Sequence, residues 1–90
     1  MAIPDKIEKD VLHERLSSIC PDPTVPKRSR IPALARRMEM TSAGVYKWIN
    51  EGKVPPARVP ELVRMQEEVF GRVRVTAGQL NPIFSDRNKS

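Results

Sequence analysis

The sequence predicts an all-α domain, and three observations carry the prediction. Apolar residues recur at the i, i+3, i+4, i+7 spacing of one helical face along residues 4–19, 31–38 and 42–51. Helix-starting and helix-stopping residues bracket these segments, with Thr41 and Thr76 as caps and Gly52 and Gly71 as terminators. Strand-like alternation is confined to "RVRV" at 72–75, four residues that are too short a run for a convincing strand. Ninety residues, 39% of them hydrophobic, suffice for one core and not for two.

Each element follows from its residues. Over 4–19, Pro4 suits the first helical position and Asp5 and Glu8 suit the positive end of the dipole. Ile7, Val11, Leu12, Leu16 and Ile19 supply the inward face. "CPDPTVPKRSR" follows, a stiff connector whose prolines at 21, 23 and 26 cannot continue a helix. Ser29 or Arg30 opens the second helix, Pro32 is tolerated in its first turn, and Ile31, Leu34, Ala35 and Met38 form its apolar stripe. A turn at 39–41 leads to a third helix capped by Thr41 or Ser42 and ended by Gly52. A short turn over 56–59 then introduces a helix from Pro60 to about Phe70, which Gly71 ends. Thr76 caps a last turn through Leu80, and "SDRNKS" reads as a mobile tail. The organisation expected is an N-terminal helix and proline-rich connector (1–30), a core (31–84) and a tail (85–90).

Several function classes are disfavoured. A lone Cys20 forms no internal disulfide, and neither a secretory leader nor a membrane-length apolar run is visible, so a soluble cytoplasmic protein is expected. No metal-ligand spacing, phosphate-cradling loop or nucleophile motif occurs, which argues against an enzyme, a cofactor or a small-molecule substrate. His13 reads as an ordinary surface or half-buried residue and Cys20 as a small hydrophobe or free thiol.

The net charge of +5 is unevenly spread. Residues 1–26 are net −2 and 59–90 net +1, whereas 27–58 hold eight bases against Glu39 and Glu51. A basic segment of this kind suits a polyanion. It contains "ALARRMEMTSAGVYKWINEG", two helices with almost no connection, so the second must cross the first steeply, as in a helix-turn-helix. Ala35 supplies the small residue that close crossing needs, and Gly44 offers a second. Val45, Trp48 and Ile49 point inward, which leaves Ser42, Ala43, Tyr46, Lys47 and Asn50 on one outward stripe. Hydroxyl, methyl, phenol, ammonium and amide groups on one helical edge are suited to reading base edges in a major groove.

"LARRMEMTSAGVYKWINEGKVPPARVPEL" followed by "VRVTAGQLNPIF" resembles the Cro/YdaS-like repressors of phages and prophages. The shared pattern falls on Leu34-Ala35-Arg36, Val45 with Trp48, Gly52-Lys53-Val54-Pro55, Arg58-Val59-Pro60, and Val75-Thr76 with Leu80 and Pro82, within about residues 31–84. The resemblance implies a small five-helix, lambda-repressor-like helix-turn-helix domain, here with an extra N-terminal helix. It also implies a dimeric repressor on palindromic double-stranded DNA; some family members are antitoxins. Two departures stand out. Glu39 occupies a turn position that the family usually fills with Gly, and the lead-in over 1–30 is longer than usual.

The assignment expected is base readout by Thr41, Ser42, Ala43, Tyr46, Lys47 and Asn50, with phosphates held by Lys27, Arg28, Arg30, Lys53 and Arg58. Tyr46 has an alternative, a ring lying over the helix surface. Arg36 and Arg37 face solvent or a phosphate at the edge. Trp48 belongs to the core. Leu62, Val63, Met65, Val69, Phe70, Ile83 and Phe84 either close the core or join a homodimer. The competing reading is an antitoxin or phage interaction module that binds a protein through the N-terminal helix, in which Leu12 or Leu16 substitutions would abolish activity. RNA is a distant third for want of stacking aromatics.

Overall fold

The computed structural model describes residues 6–22 and 24–84. Five α-helices follow one another there: α1 (Lys9–Ser18), α2 (Arg30–Arg37), α3 (Ser42–Glu51), α4 (Val59–Phe70) and α5 (Ala77–Leu80). Short 3-10 turns precede α2 (Lys27–Ser29) and follow α5 (Pro82–Phe84). No strand occurs among the described residues. The radius of gyration is 12.8 Å, close to the ~12 Å of a compact chain this long.

The helix expected from Pro4 begins at Lys9, and the parts of that expectation resting on Pro4 and Asp5 lie outside the described residues, as does the tail over 85–90. Leu12, Leu16 and Ile19 are fully buried and share one core with Ile31, Leu34, Ala35 and Met38 of the α2 region and Val45, Trp48 and Ile49 of α3. The helix at 9–18 is therefore a wall of the core and not an appendage to it. Val11 departs from the expected inward set, at 37% exposed. It sits ~100° around the helix from Leu12, outside the arc that 12, 16 and 19 define.

α2 and α3 are joined by residues 38–41, and both helices end in the same way. The Met40 N–H donates to the Ala35 carbonyl (2.9 Å) and the Glu39 N–H to that of Arg36 (3.0 Å). At the end of α3 the Lys53 N–H reaches the Trp48 carbonyl (3.1 Å) and the Gly52 N–H that of Ile49 (3.1 Å). These are two Schellman motifs, which satisfy otherwise orphaned carbonyls through one left-handed residue. Gly52 has φ 81° and Glu39 has φ 61°. The expected second role for Gly44, close approach of the two helices, is not what occurs. A Cβ on Gly44 would lie 2.6 Å from the Met40 Cε, a side chain of the turn itself.

α4 begins one residue before the expected Pro60, which occupies its first turn, where the missing N–H costs no helical bond. It ends at Gly71, φ 77°. The "RVRV" segment is not a strand because a side chain takes its hydrogen bonds. Gln66, wholly buried, accepts at Oε1 from the Arg74 and Val75 N–H groups (2.7 Å each) and donates from Nε2 to the Val75 carbonyl (2.8 Å). Asn81 does similar work at the other end of the core. Its Nδ2 donates to the Val54 carbonyl (2.7 Å), while the Val54 N–H donates to the Leu80 carbonyl (2.9 Å). Thr76 and Gln79 form a reciprocal capping box on α5. Among the described residues no helix is long and apolar enough to cross a membrane.

Candidate nucleic-acid interface

α3 is held at both ends before any outward side chain matters. At its start the Thr41 hydroxyl accepts the Gly44 N–H (3.2 Å), an N-cap that satisfies a donor the helix cannot. At its finish Gly52 makes the Schellman closure, and its carbonyl also accepts the Ile7 N–H (2.7 Å). Between these, Val45, Trp48 and Ile49 are buried to 5% exposure or less. Trp48 is thus a core residue.

The expected outward stripe divides in two. With ~100° per residue, positions 43, 47 and 50 lie nearly opposite the buried arc, and Ala43, Lys47 and Asn50 are exposed. Positions 42 and 46 lie closer to the α1 side. Ser42 is half-buried. The Tyr46 ring stacks on His13 of α1, with centroids 6.4 Å apart and planes 27° from parallel, and stays 38% exposed. Of the two roles expected for Tyr46, this contact fits the packed ring better than a freely projecting reader. His13, read from sequence as an ordinary residue, is the half-buried partner that sets it. The signal was thin: position 13 lies one residue beyond Leu12 in the α1 pattern, and only the packing of α1 on α3 links it to Tyr46.

The residues expected at phosphates fall into three groups. Lys53 and Arg28 are exposed and make no ion pair among the described residues, as is also true of Lys47 and Arg36. Lys27 lies 3.3 Å from Glu14 of α1, and Arg58, the residue before α4, lies 2.9 Å from Glu61 in the first turn of that helix. Exposed pairs of this kind are worth little and exchange readily for other anions. Their cations are partly neutralised nonetheless, which the charge count over 27–58 did not register. Arg30 is half-buried, and its Nε is enclosed without a partner. Arg37, expected toward solvent or a phosphate at the edge, is exposed and also pairs with Glu68 of α4 at 2.7 Å.

The Leu12 and Leu16 substitutions expected to discriminate a protein-interaction module lose that meaning, because both side chains are at 0% exposure in the chain's own core. Of the residues considered for a dimer interface, Leu62 and Met65 are buried, Val63 and Phe70 half-buried, and Val69, Ile83 and Phe84 exposed. Comparison of the chain with protein-family models, curated proteins and solved structures finds no match.

Proposed function

We propose that this chain is a sequence-specific, double-stranded-DNA-binding transcriptional regulator of the phage or prophage Cro-like repressor kind, acting in the bacterial cytoplasm. The observation that carries the reading is the outward edge of α3. Ala43, Lys47 and Asn50 stand clear of neighbours on a helix whose opposite side is buried and whose start is capped beside a short turn. Lys47 is a donor suited to guanine O6 and N7, Asn50 can pair with adenine, and the Ala43 methyl can touch thymine. Ser42 and Thr41 stand at the N-terminal margin, where recognition helices meet base edges. Lys53, Arg28 and, once released from Glu14, Lys27 hold phosphates, which fix register without specifying sequence. One such helix covers few base pairs, so a homodimer on a palindromic operator completes the reading. Val69, Ile83 and Phe84 supply exposed apolar surface for it.

The test is selection of bound sites from random duplex DNA by the full chain. A palindromic consensus with half-sites about one helical turn apart is expected. Enrichment of no motif overturns the reading. Lys47→Ala should relax selectivity at one base position by about 1–3 kcal/mol, whereas Lys53→Ala should weaken all sites alike and lower the salt slope by about one phosphate.

A further inference from the structure

Away from the α3 edge, a cavity of about 220 Å³ opens among the end of α1, the start of α2 and the stretch from Phe70 to Arg74. Ser17, Ser18, Cys20, Arg30, Phe70 and Arg74 line it, and no lining residue comes from α3 or carries a carboxylate. Two of the lining residues hold buried polar atoms with no partner among the described residues, the Ser17 Oγ and the Arg30 Nε. Ser17 as a whole is only 2% exposed. Both atoms are enclosed, with almost no accessible surface, so what the cavity offers an occupant is the outer guanidinium nitrogens of its two arginines. The Arg74 guanidinium borders the same space. It lies 5.1 Å over the Phe70 ring centroid, and one of its nitrogens is 3.5 Å from the Ser18 carbonyl. Neither Arg30 nor Arg74 has an acidic partner among the described residues.

A cavity that presents two guanidiniums and no acid selects for negative charge and for several acceptor oxygens. Its volume is below the ~300–1,000 Å³ of drug-sized pockets, which limits the occupant to a compact group. We infer that this cavity binds a small free oxyanion, a phosphate or carboxylate group, through Arg30 and Arg74. Phe70 closes one side and holds the Arg74 guanidinium by a cation–π contact. The inference is independent of the DNA-binding reading, since it concerns residues off α3 and can be tested without DNA.

The experiment is a titration of the full chain with inorganic phosphate, followed by amide and arginine Nε–H NMR signals, against sodium chloride at matched ionic strength. Saturable shifts at the Ser17, Ser18 and Arg74 amides and at the Arg30 Nε–H are expected, with a Kd of about 1 mM or tighter. Arg74→Gln, at an exposed position, should weaken binding by about tenfold through loss of a charge-assisted hydrogen bond. Ser17→Ala, which removes only an enclosed hydroxyl, should leave binding unchanged and the Tm unchanged or raised. Acetate in place of phosphate separates the carboxylate source from the phosphate source, and saturation by either supports the site. Shifts that chloride reproduces, or an affinity that Arg74→Gln does not alter, overturn it. So does movement of these signals by duplex DNA but not by free phosphate, which would make Arg30 a backbone contact.

Discussion

The ends of α2 and α3 use one hydrogen-bonding scheme on two different residues. Both close with a residue in the left-handed region, Glu39 at φ 61° and Gly52 at φ 81°. Glycine enters that region freely, while a side chain costs about 1 kcal/mol or more there. At Gly52 the requirement is double. A Cβ would meet the Ile7 carbonyl oxygen at 2.8 Å and the Lys6 Cβ at 3.0 Å, because the chain before α1 runs against this turn. At Glu39 the side chain is exposed, and only the backbone bears the strain. The end of α4 is a third instance: Gly71 has φ 77° and nothing within 4 Å of its missing Cβ. The difference teaches that a left-handed helix end tolerates a side chain where space is open and excludes one where a second backbone approaches.

The largest effect expected lies beside these turns. Gln66→Leu leaves two N–H groups and a carbonyl of 74–75 without their partner after the Gly71 reversal, and should cost about 3 kcal/mol or more in denaturant unfolding. Gly52→Ala adds a backbone collision to the conformational cost and should lose about 2–3 kcal/mol. A loss no greater than that of Gly71→Ala would remove the distinction between the two glycines. Glu39→Gly should gain about 1 kcal/mol in thermal unfolding, since the turn is already left-handed. Gly71→Ala should lose about 1 kcal/mol, the conformational cost alone.

The smallest effect comes from a turn built differently. The Asp22 carboxylate accepts from the Thr24 hydroxyl and the Thr24 N–H (3.1 Å), in that order of importance, and these bonds hold its pKa below the ordinary 3.8. A depressed carboxylate contributes stability that is present above its unfolded pKa and lost as pH falls through the folded one. Asp22→Asn should therefore lower stability slightly at neutral pH, where the charged form contributes, and flatten the loss of stability below pH ~4.

The helices were legible in the sequence because their causes are local. Ile31, Leu34, Ala35 and Met38, then Val45, Trp48 and Ile49, were read as buried from spacing and are buried. Thr41, Gly52, Gly71 and Thr76 marked helix ends where they occur. Gln66 was missed although it left a trace, a polar residue seven positions after Val59 and four after Leu62 on the apolar face of α4. The candidate interface was legible only in part. Spacing separates the outward residues of α3 from the buried ones, but not Lys47, which stands clear, from Tyr46, which rests on His13. Likewise a charge count includes Lys27, Arg37 and Arg58 without the glutamates beside them.

By itself the sequence determined the all-α class, the helix ends marked by Thr41, Gly52, Gly71 and Thr76, and the buried face of each of the helices at 31–38 and 42–51. These depend on residues within a turn or two of one another. Tertiary structure alone decided that the first helix is a wall of the common core, that Gly52 must be glycine twice over, and that Ser17 and Arg30 meet at a cavity. Each of those outcomes depends on which surfaces far apart in the chain are brought together, and a helical repeat carries no information about the neighbour its face will find.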